Sequence, residues 1–169
     1  IYMGYEVDFM QKVGVIGIGS MGRNHARVYS EIADLVGVAD LNEKAVKEVA
    51  VQTNTTPYTD YHELLSQDIE AVNVASPTST HFQVAMDAIK AGKHVLVEKP
   101  LCSSIEQARE LIQAAESAGL TLATGHIERH NPVIPYTKDL IKHGEMGDVI
   151  SLASRRVSSM PGRIKDMGV

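Results

Sequence analysis

Short apolar runs that alternate with amphipathic stretches are the feature that most restricts the fold of this chain. The apolar runs predict strands at Val13–Gly17, Leu35–Ala39, Ala71–Ala75, His94–Val97 and Leu120–Ala123. The stretches between them predict helices at Met21–Ile32, Glu43–Val51, Tyr61–Leu65, Thr80–Ala91 and Ile105–Ala118, with a turn at Thr56-Pro57 before the third. Strands of this length without polar alternation are typical of a parallel sheet buried between helices. The pattern therefore predicts a doubly wound α/β fold.

The alternation breaks near residue 125, where a polar stretch begins. Beyond this point the sequence predicts a helix that starts at Asn131-Pro132 and runs to about His143, and then a strand at Val149–Val157. We therefore predict one domain at residues 10–125 and an incomplete second domain, of the α+β class, at residues 126–169. The stretch from Ile1 to Phe9 carries no clear pattern and is either an added sequence or a frayed extension.

Composition limits the possible partners. Lys and Arg number 16 against 21 Asp and Glu, for a net charge of −5, which argues against binding nucleic acid or an anionic membrane surface. No apolar run approaches the roughly 18 residues of a membrane span, and the His and Cys residues lack the spacing of a zinc site. A single cysteine, Cys102, excludes an internal disulfide and suits a reducing cytoplasm. We therefore predict a cytoplasmic protein without a metal.

A glycine-rich motif joins the first strand to the first helix and is typical of a dinucleotide-binding loop. In such a loop Gly17 permits the tight turn, Gly19 lets the backbone approach a pyrophosphate, and Gly22 allows close packing of helix and strand. The free N–H groups and positive dipole end of the helix attract the anion. The alternative is a plain glycine-rich turn. The predicted cofactor contacts here are Gly17, Gly19, Ser20, Met21 and Gly22.

Asp40 ends the second predicted strand, 18 residues after Gly22. A carboxylate at this place accepts hydrogen bonds from the ribose hydroxyls of the adenosine and repels a 2′-phosphate. The next residues, Leu41 and Asn42, supply no guanidinium that could hold such a phosphate. The sequence therefore favours NAD over NADP. The alternative is that Asp40 caps the following helix, and the two roles can coexist.

Two further segments follow strands at the same edge of the predicted sheet, where ligands of open α/β sheets bind. The first is Ser76-Pro77-Thr78, with His81 one helical turn beyond, and we predict that these residues contact the cofactor. A structural role for His81 is equally consistent with the sequence. The second is Glu98-Lys99-Pro100, in which a lysine can orient a substrate hydroxyl and relay its proton. A solvated Glu–Lys pair is the alternative there.

These motifs together resemble those of a known family. Gly17–His25, Pro77 with His81, and Gly92–Pro100 closely resemble the corresponding segments of the glucose–fructose oxidoreductase/inositol dehydrogenase/MocA family. The later segments are more specific than the glycine motif, since spacing and residue types match together. The resemblance covers residues 12–169 and implies a Rossmann-type sheet followed by a substrate domain. It also implies NAD(P)-dependent oxidation or reduction of a sugar or polyol, in a protein that forms homo-oligomers.

The same resemblance implies roles for individual residues. Glu98 and Lys99 would line the nicotinamide pocket, with Lys99 in the proton relay and a cis bond between Lys99 and Pro100. The segment after Gly125 resembles the branch of the family that acts on UDP-N-acetylglucosamine and related nucleotide sugars. There His126, Arg129 and Asn131 would contact the substrate, although a capped helix with solvated charges is the alternative.

The family's catalytic histidine lies in an Asp-x-x-x-His motif inside its second domain. Asp139 and His143 have this spacing, but they lie on a predicted helix before the first strand of that domain, where the spacing only places two polar groups on one face. We therefore expect this chain to bind the cofactor without turning over a sugar by itself. A non-catalytic, NAD-responsive binding protein is the alternative, whereas an unrelated small reductase conflicts with the Glu98-Lys99-Pro100 segment.

Overall fold

The structure is a computed structural model that describes residues 11–155 and 157. The chain divides into two compact units, Ile1–Gly125 and His126–Val169, and each is described by itself below. The stretch from Ile1 to Phe9, for which the sequence left two explanations open, lies outside the described residues, as does Arg156 of the predicted second-domain strand.

The first unit is built on a parallel sheet that, in the described part of the chain, has six strands in the order β3-β2-β1-β4-β5-β6. The strands are β1 (Lys12–Ile16), β2 (Asp34–Ala39), β3 (Thr56–Tyr58), β4 (Ala71–Val74), β5 (His94–Val97) and β6 (Leu122–Thr124). The strands β2 and β3 are added in turn on one side of β1, and the strands β4, β5 and β6 are added in turn on its other side. This is the doubly wound, Rossmann-type α/β fold that the alternating sequence predicts.

Helices connect the strands and cover the two faces of the sheet. They are α1 (Ser20–Ile32), α2 (Glu43–Thr53), α3 (Tyr61–Leu65), α4 (Thr78–Lys90) and α5 (Ile105–Ser117). One buried cluster joins alternate residues of β4 and β5 to α4 and α5, and another joins β1 and β2 to α1 and α2. In β1 and β2 successive residues enter different clusters, Val15 and Val38 the one and Ile16 and Ala39 the other, so these two strands carry apolar residues on both faces.

The segment Thr56-Pro57, predicted as a turn, is instead the beginning of β3. This strand pairs in parallel with β2, with Pro57 opposite Val38. Proline lacks the N–H group that an interior strand needs, but it is tolerated in a strand at the edge of a sheet. The prediction was wrong because a threonine–proline pair suits an edge strand as well as a turn.

The second unit contains a 3-10 helix (Ile127–His130) and α6 (Val133–Lys142). The helix α6 begins one residue after Pro132, and Gly144 follows its end with a φ of 74°. The predicted strand at Val149–Val157 is wrong for its described residues, which have no regular secondary structure. A strand needs interstrand hydrogen bonds, and no described strand pairs with this segment.

Among the described residues, no helix has both the length and the apolar character that crossing a membrane requires.

Candidate functional site

The carboxyl ends of β2, β1, β4 and β5 lie side by side at one edge of the sheet. The strand order reverses between β1 and β4, because the chain continues on opposite sides of β1 in its two halves. In open α/β sheets the crevice at such a reversal binds the ligand. The predicted site residues of the first unit follow these strands, so the fold brings them to one edge.

Gly17 follows β1 in a conformation that only glycine adopts readily, with a φ of 89°. A Cβ atom at this position would lie 2.4 Å from the backbone nitrogen of Ser76. The backbone N–H of Gly17 donates to the carbonyl oxygen of Ala39 at 2.8 Å. The glycine loop therefore contacts the ends of both neighbouring strands, β2 and β4, with no room for a side chain.

The other two glycines of the motif differ in what surrounds them. A Cβ on Gly22 would lie 1.7 Å from the carbonyl oxygen of Gly17, so α1 can approach β1 this closely only with glycine there. A Cβ on Gly19 would meet no heavy atom within 4 Å. Gly19 is also the N-cap of α1 and provides no side-chain cap. The backbone at this helix N-terminus thus faces open space, as binding of a pyrophosphate requires.

Asp40 follows β2 and is half-buried beside the glycine loop. Its Oδ2 accepts from the backbone N–H of Ile18 at 2.6 Å, and its Oδ1 accepts from the N–H of Asn42 at 2.8 Å. The cap of α2 is Asn42, whose Oδ1 accepts from Ala45 at 3.1 Å. The alternative in which Asp40 caps this helix is therefore wrong. The carboxylate is fixed against the glycine loop instead.

The segment after β4 begins α4 at Thr78, with Pro77 as the N-cap residue. The Oγ1 of Thr80 lies 2.8 Å from both the Oγ of Ser76 and the carbonyl oxygen of Pro77. These contacts hold a hydroxyl-rich turn at the same edge as the glycine loop. Ser76 and Thr78 are half-buried, and Pro77 is exposed.

His81, predicted among the cofactor contacts, is instead buried with 1% of its surface exposed. Its Nδ1 lies 2.8 Å from the carbonyl oxygen of Pro100, and its Nε2 lies 2.8 Å from that of Ser76. Both ring nitrogens are engaged by backbone groups, so the ring joins the loop after β4 to the loop after β5. The geometry favours the structural role that the sequence had left open.

We expect His81→Ala to lower the free energy of unfolding by about 2 to 3 kcal/mol, because it removes a hydrogen bond that the buried ring donates to a backbone carbonyl group and opens a cavity. Urea denaturation of the chain measures this loss. The exposed His130 provides the matched control, since His130→Ala removes an imidazole that is not part of the core. Equal stability of the two variants would contradict the structural role.

Glu98 ends β5 with only 7% of its surface exposed, and both of its carboxylate oxygens are hydrogen-bonded. Its Oε1 lies 2.8 Å from the Nε2 of His25, which comes from α1. Its Oε2 accepts from the backbone N–H of Lys99 at 3.1 Å. A Cβ on Gly125 would lie 3.4 Å from the same carboxylate, so the residue that ends the first unit also packs against it.

Lys99 itself is exposed, and its peptide bond to Pro100 is cis, as the family resemblance implies. The alternative of a solvated Glu–Lys pair is wrong, because the Glu98 carboxylate is buried and contacts His25 and the Lys99 backbone. The lysine side chain is therefore available at the edge of the sheet where the glycine loop also lies.

The predicted substrate residues His126, Arg129 and Asn131 lie in and around the 3-10 helix of the second unit, and all are exposed. Asn131 is engaged locally, since its Oδ1 accepts from Val133 at 3.2 Å and its Nδ2 donates to Glu128 at 3.3 Å. These bonds tie Asn131 to the start of α6, but the N-cap residue of that helix is Pro132, so the expected N-cap role of Asn131 is wrong.

Asp139 and His143 lie at the end of α6. The Nδ1 of His143 contacts the backbone carbonyl oxygen of Asp139 at 2.8 Å, and His143 is the C-cap residue. The pair therefore ends a helix, as the sequence interpretation of this motif expected.

Comparison with known proteins agrees with this geometry. Residues 11–126 match the family model GFO_IDH_MocA, described as an oxidoreductase family with an NAD-binding Rossmann fold. The chain belongs to this family. The GFO_IDH_MocA match covers the whole described sheet, so the glycine loop and the strand ends described above belong to an NAD-binding domain.

Individual relatives in the family are sugar and polyol dehydrogenases. The UDP-N-acetylglucosamine 3-dehydrogenase of Acidithiobacillus ferrooxidans is 38% identical over 94% of this chain and 49% of its own length. Its solved structure aligns with 78% of this chain and 43% of its own, at 41% identity and a TM-score of 0.74. The scyllo-inositol dehydrogenase of Lactobacillus casei, solved with NAD(H) and scyllo-inositol, aligns with 83% of this chain and 43% of its own, at 27% identity and a TM-score of 0.78. The chain thus spans about half the length of these relatives.

The role of His25 was not predicted from the sequence, where this residue stands only as part of the family motif. It lies 73 residues before Glu98, and no local pattern connects the two. The only available signal was indirect. A buried carboxylate at a strand end needs a donor, and a histidine on the helix that opens with the glycine loop can supply one.

Proposed function

We propose that this chain is the NAD-binding part of a dehydrogenase that transfers a hydride between the nicotinamide and a carbon of a sugar or nucleotide sugar. The observation that carries the proposal is the position of Lys99. Its exposed side chain follows β5, two strands from the glycine loop, at the carboxyl edge of the sheet, where open α/β sheets bind their ligands. A lysine in that place can orient a substrate hydroxyl and relay its proton.

The first unit provides a residue for each part of the cofactor. The open backbone at Gly19 and the N-terminus of α1 suit the pyrophosphate. Asp40, fixed by the N–H of Ile18, suits the adenosine ribose, and Ser76 and Thr78 lie in the turn after β4, beside the glycine loop. When bound, NAD supplies the hydride acceptor. The protein then contributes binding, orientation and, through the Nζ of Lys99, part of a relay for the hydroxyl proton.

The same residues support NAD over NADP. The Asp40 carboxylate is held in place by two backbone N–H groups, so it cannot turn away from a 2′-phosphate without losing them. Leu41 is 92% exposed and apolar, and it offers no charge that could offset the repulsion.

We expect Asp40→Asn to reduce the preference for NAD over NADP by about tenfold or more, because it removes the negative charge and keeps an oxygen acceptor for the loop. Calorimetric titration of both cofactors measures the ratio. Asp34→Asn is the matched control, since Asp34 lies at the opposite end of β2 and is exposed. A wild-type chain that binds NADP as tightly as NAD would contradict this proposal.

For the substrate we propose a nucleotide-linked sugar. The UDP-N-acetylglucosamine 3-dehydrogenase similarity extends over 158 residues, past the first unit and into the second. His126 and Arg129 in that unit are exposed and supply the cationic and donor groups that a sugar diphosphate needs. Asn131, proposed as a third contact, retains one amide hydrogen beyond its bond to Glu128.

The test is an absorbance assay for NADH formation by the whole protein, with a panel of UDP-sugars and polyols. Turnover of UDP-sugars with little turnover of free inositols supports the proposed substrate. Binding of NAD without turnover of any sugar would favour the non-catalytic, NAD-responsive protein instead. The cytoplasmic location and the homo-oligomeric assembly stay predictions, the first resting on the single cysteine and the second on the family resemblance.

A further inference from the structure

Glu98 is a buried carboxylate whose two oxygens point to two different parts of the site. One oxygen contacts the imidazole of His25 on α1, and the other accepts the backbone N–H of Lys99. A carboxylate is costly to bury unless its oxygens are hydrogen-bonded. The Glu98 side chain is therefore oriented by both contacts together, and the loss of one frees it to rotate away from the other.

The His25 contact comes from the helix that begins at the glycine loop. Because a carboxylate only accepts, the Nε2 of His25 carries the proton in the 2.8 Å contact. The imidazole is largely enclosed, with 19% of its side chain exposed, and it stacks against the ring of Tyr29 one turn along α1. This packing fixes the direction of the Nε2–H group.

We propose that His25 is a positioning residue for Lys99. Its Nε2–H holds the Glu98 carboxylate in the orientation from which the other oxygen accepts the Lys99 amide, so the helix at the cofactor loop is tied to the backbone of the lysine. This inference rests on the proposed function, because that function gives Lys99 its role in the reaction. The two hydrogen bonds that join His25 to Glu98 and Glu98 to the Lys99 amide are present in the chain without cofactor. It assigns His25 no contact with the substrate or the cofactor.

The Oε2 of Glu98 connects the orientation of this carboxylate to the backbone of Lys99. The Lys99 amide has this carboxylate oxygen, at 3.1 Å, as its acceptor. A hydrogen bond to a charged acceptor protects an amide from exchange with solvent until the bond opens. The exchange rate of this one amide therefore reports the orientation of Glu98 directly.

Amide hydrogen exchange of Lys99, followed by NMR in the ¹⁵N-labelled chain without cofactor, tests the proposal. We expect His25→Ala to accelerate the exchange of this amide by about tenfold or more. His25→Gln, whose amide nitrogen can replace Nε2 as a donor, should restore most of the protection. Arg27→Ala is the control on the same helix, because Arg27 is exposed and its guanidinium pairs with Glu31 one turn away.

Unchanged exchange at Lys99 in a folded His25→Ala variant would overturn the proposal. So would equal acceleration in the alanine and glutamine variants, because the donor would then not be the cause. If His25→Ala does not fold, the imidazole ¹⁵N spectrum of the wild-type chain decides. A protected proton on Nε2 supports the linkage, and a proton on Nδ1 alone contradicts it.

A titration of the same samples with NAD separates this inference from the proposed function. A wild-type chain that fails to bind NAD would overturn the proposed function, whatever the exchange at Lys99 shows. Normal NAD binding with an unprotected Lys99 amide in the wild-type chain would overturn only the role of His25.

Discussion

Gly22→Ala is expected to lower the free energy of unfolding by about 3 kcal/mol and to abolish measurable binding of NAD. The added Cβ would lie 1.7 Å from the carbonyl oxygen of Gly17. That oxygen is a backbone atom, and the Cβ is bonded directly to the backbone of residue 22. No side-chain rotation relieves this contact, so α1 must move away from the loop. Urea denaturation and a calorimetric NAD titration measure the two effects.

Gly19→Ala in the same loop is the matched comparison. A Cβ there meets no protein atom within 4 Å, so the stability should change by less than about 1 kcal/mol. The affinity for NAD should still fall by about tenfold or more, because the methyl group occupies the space that the pyrophosphate needs. A Gly22→Ala variant that folds and binds NAD like the wild type would contradict the account of this loop.

Lys99→Ala in the whole protein is expected to lower kcat by about 10²- to 10⁴-fold, the usual contribution of a general acid or base. The affinity for NAD should change little, and so should stability, because the Lys99 side chain is exposed and absent from the buried clusters. Initial rates of NADH formation with a nucleotide sugar measure the first effect, and calorimetry measures the second.

The control for this variant is Lys90→Ala, which removes an exposed lysine from the last turn of α4. A loss confined to KM in Lys99→Ala would show that the lysine binds substrate without handling the proton. If Lys99→Ala were as active as the wild-type protein, Lys99 would have no role in the reaction.

The sheet and the glycine loop could be predicted from the sequence because both are specified locally. A buried strand such as β1 is a continuous apolar run, and the motif after it has Gly17 and Gly22 where the structure leaves no room for a Cβ. Asp40 was found in the same way, by its distance along the chain from Gly22. Its hydrogen bond to the N–H of Ile18 was not predictable from that spacing, although it gives the carboxylate a fixed orientation.

Features that depend on distant partners were missed or wrong. The segment Thr56–Tyr58 is a strand only because β2 offers it an edge, and Val149–Val157 alternates without a described strand to pair with. The contact of His25 with Glu98 joins residues that are 73 positions apart. His81 was placed at the correct loop, but only the packing shows that both ring nitrogens face backbone carbonyls.

Titration of the 169-residue chain with NAD tests the central claim most directly. We expect saturable binding to one site per chain, tighter than the binding of NADP and weakened in Gly19→Ala without loss of stability. A folded wild-type chain that does not bind NAD, or a Gly19→Ala variant that binds it as tightly as the wild type, would contradict the site described at the carboxyl edge of the sheet.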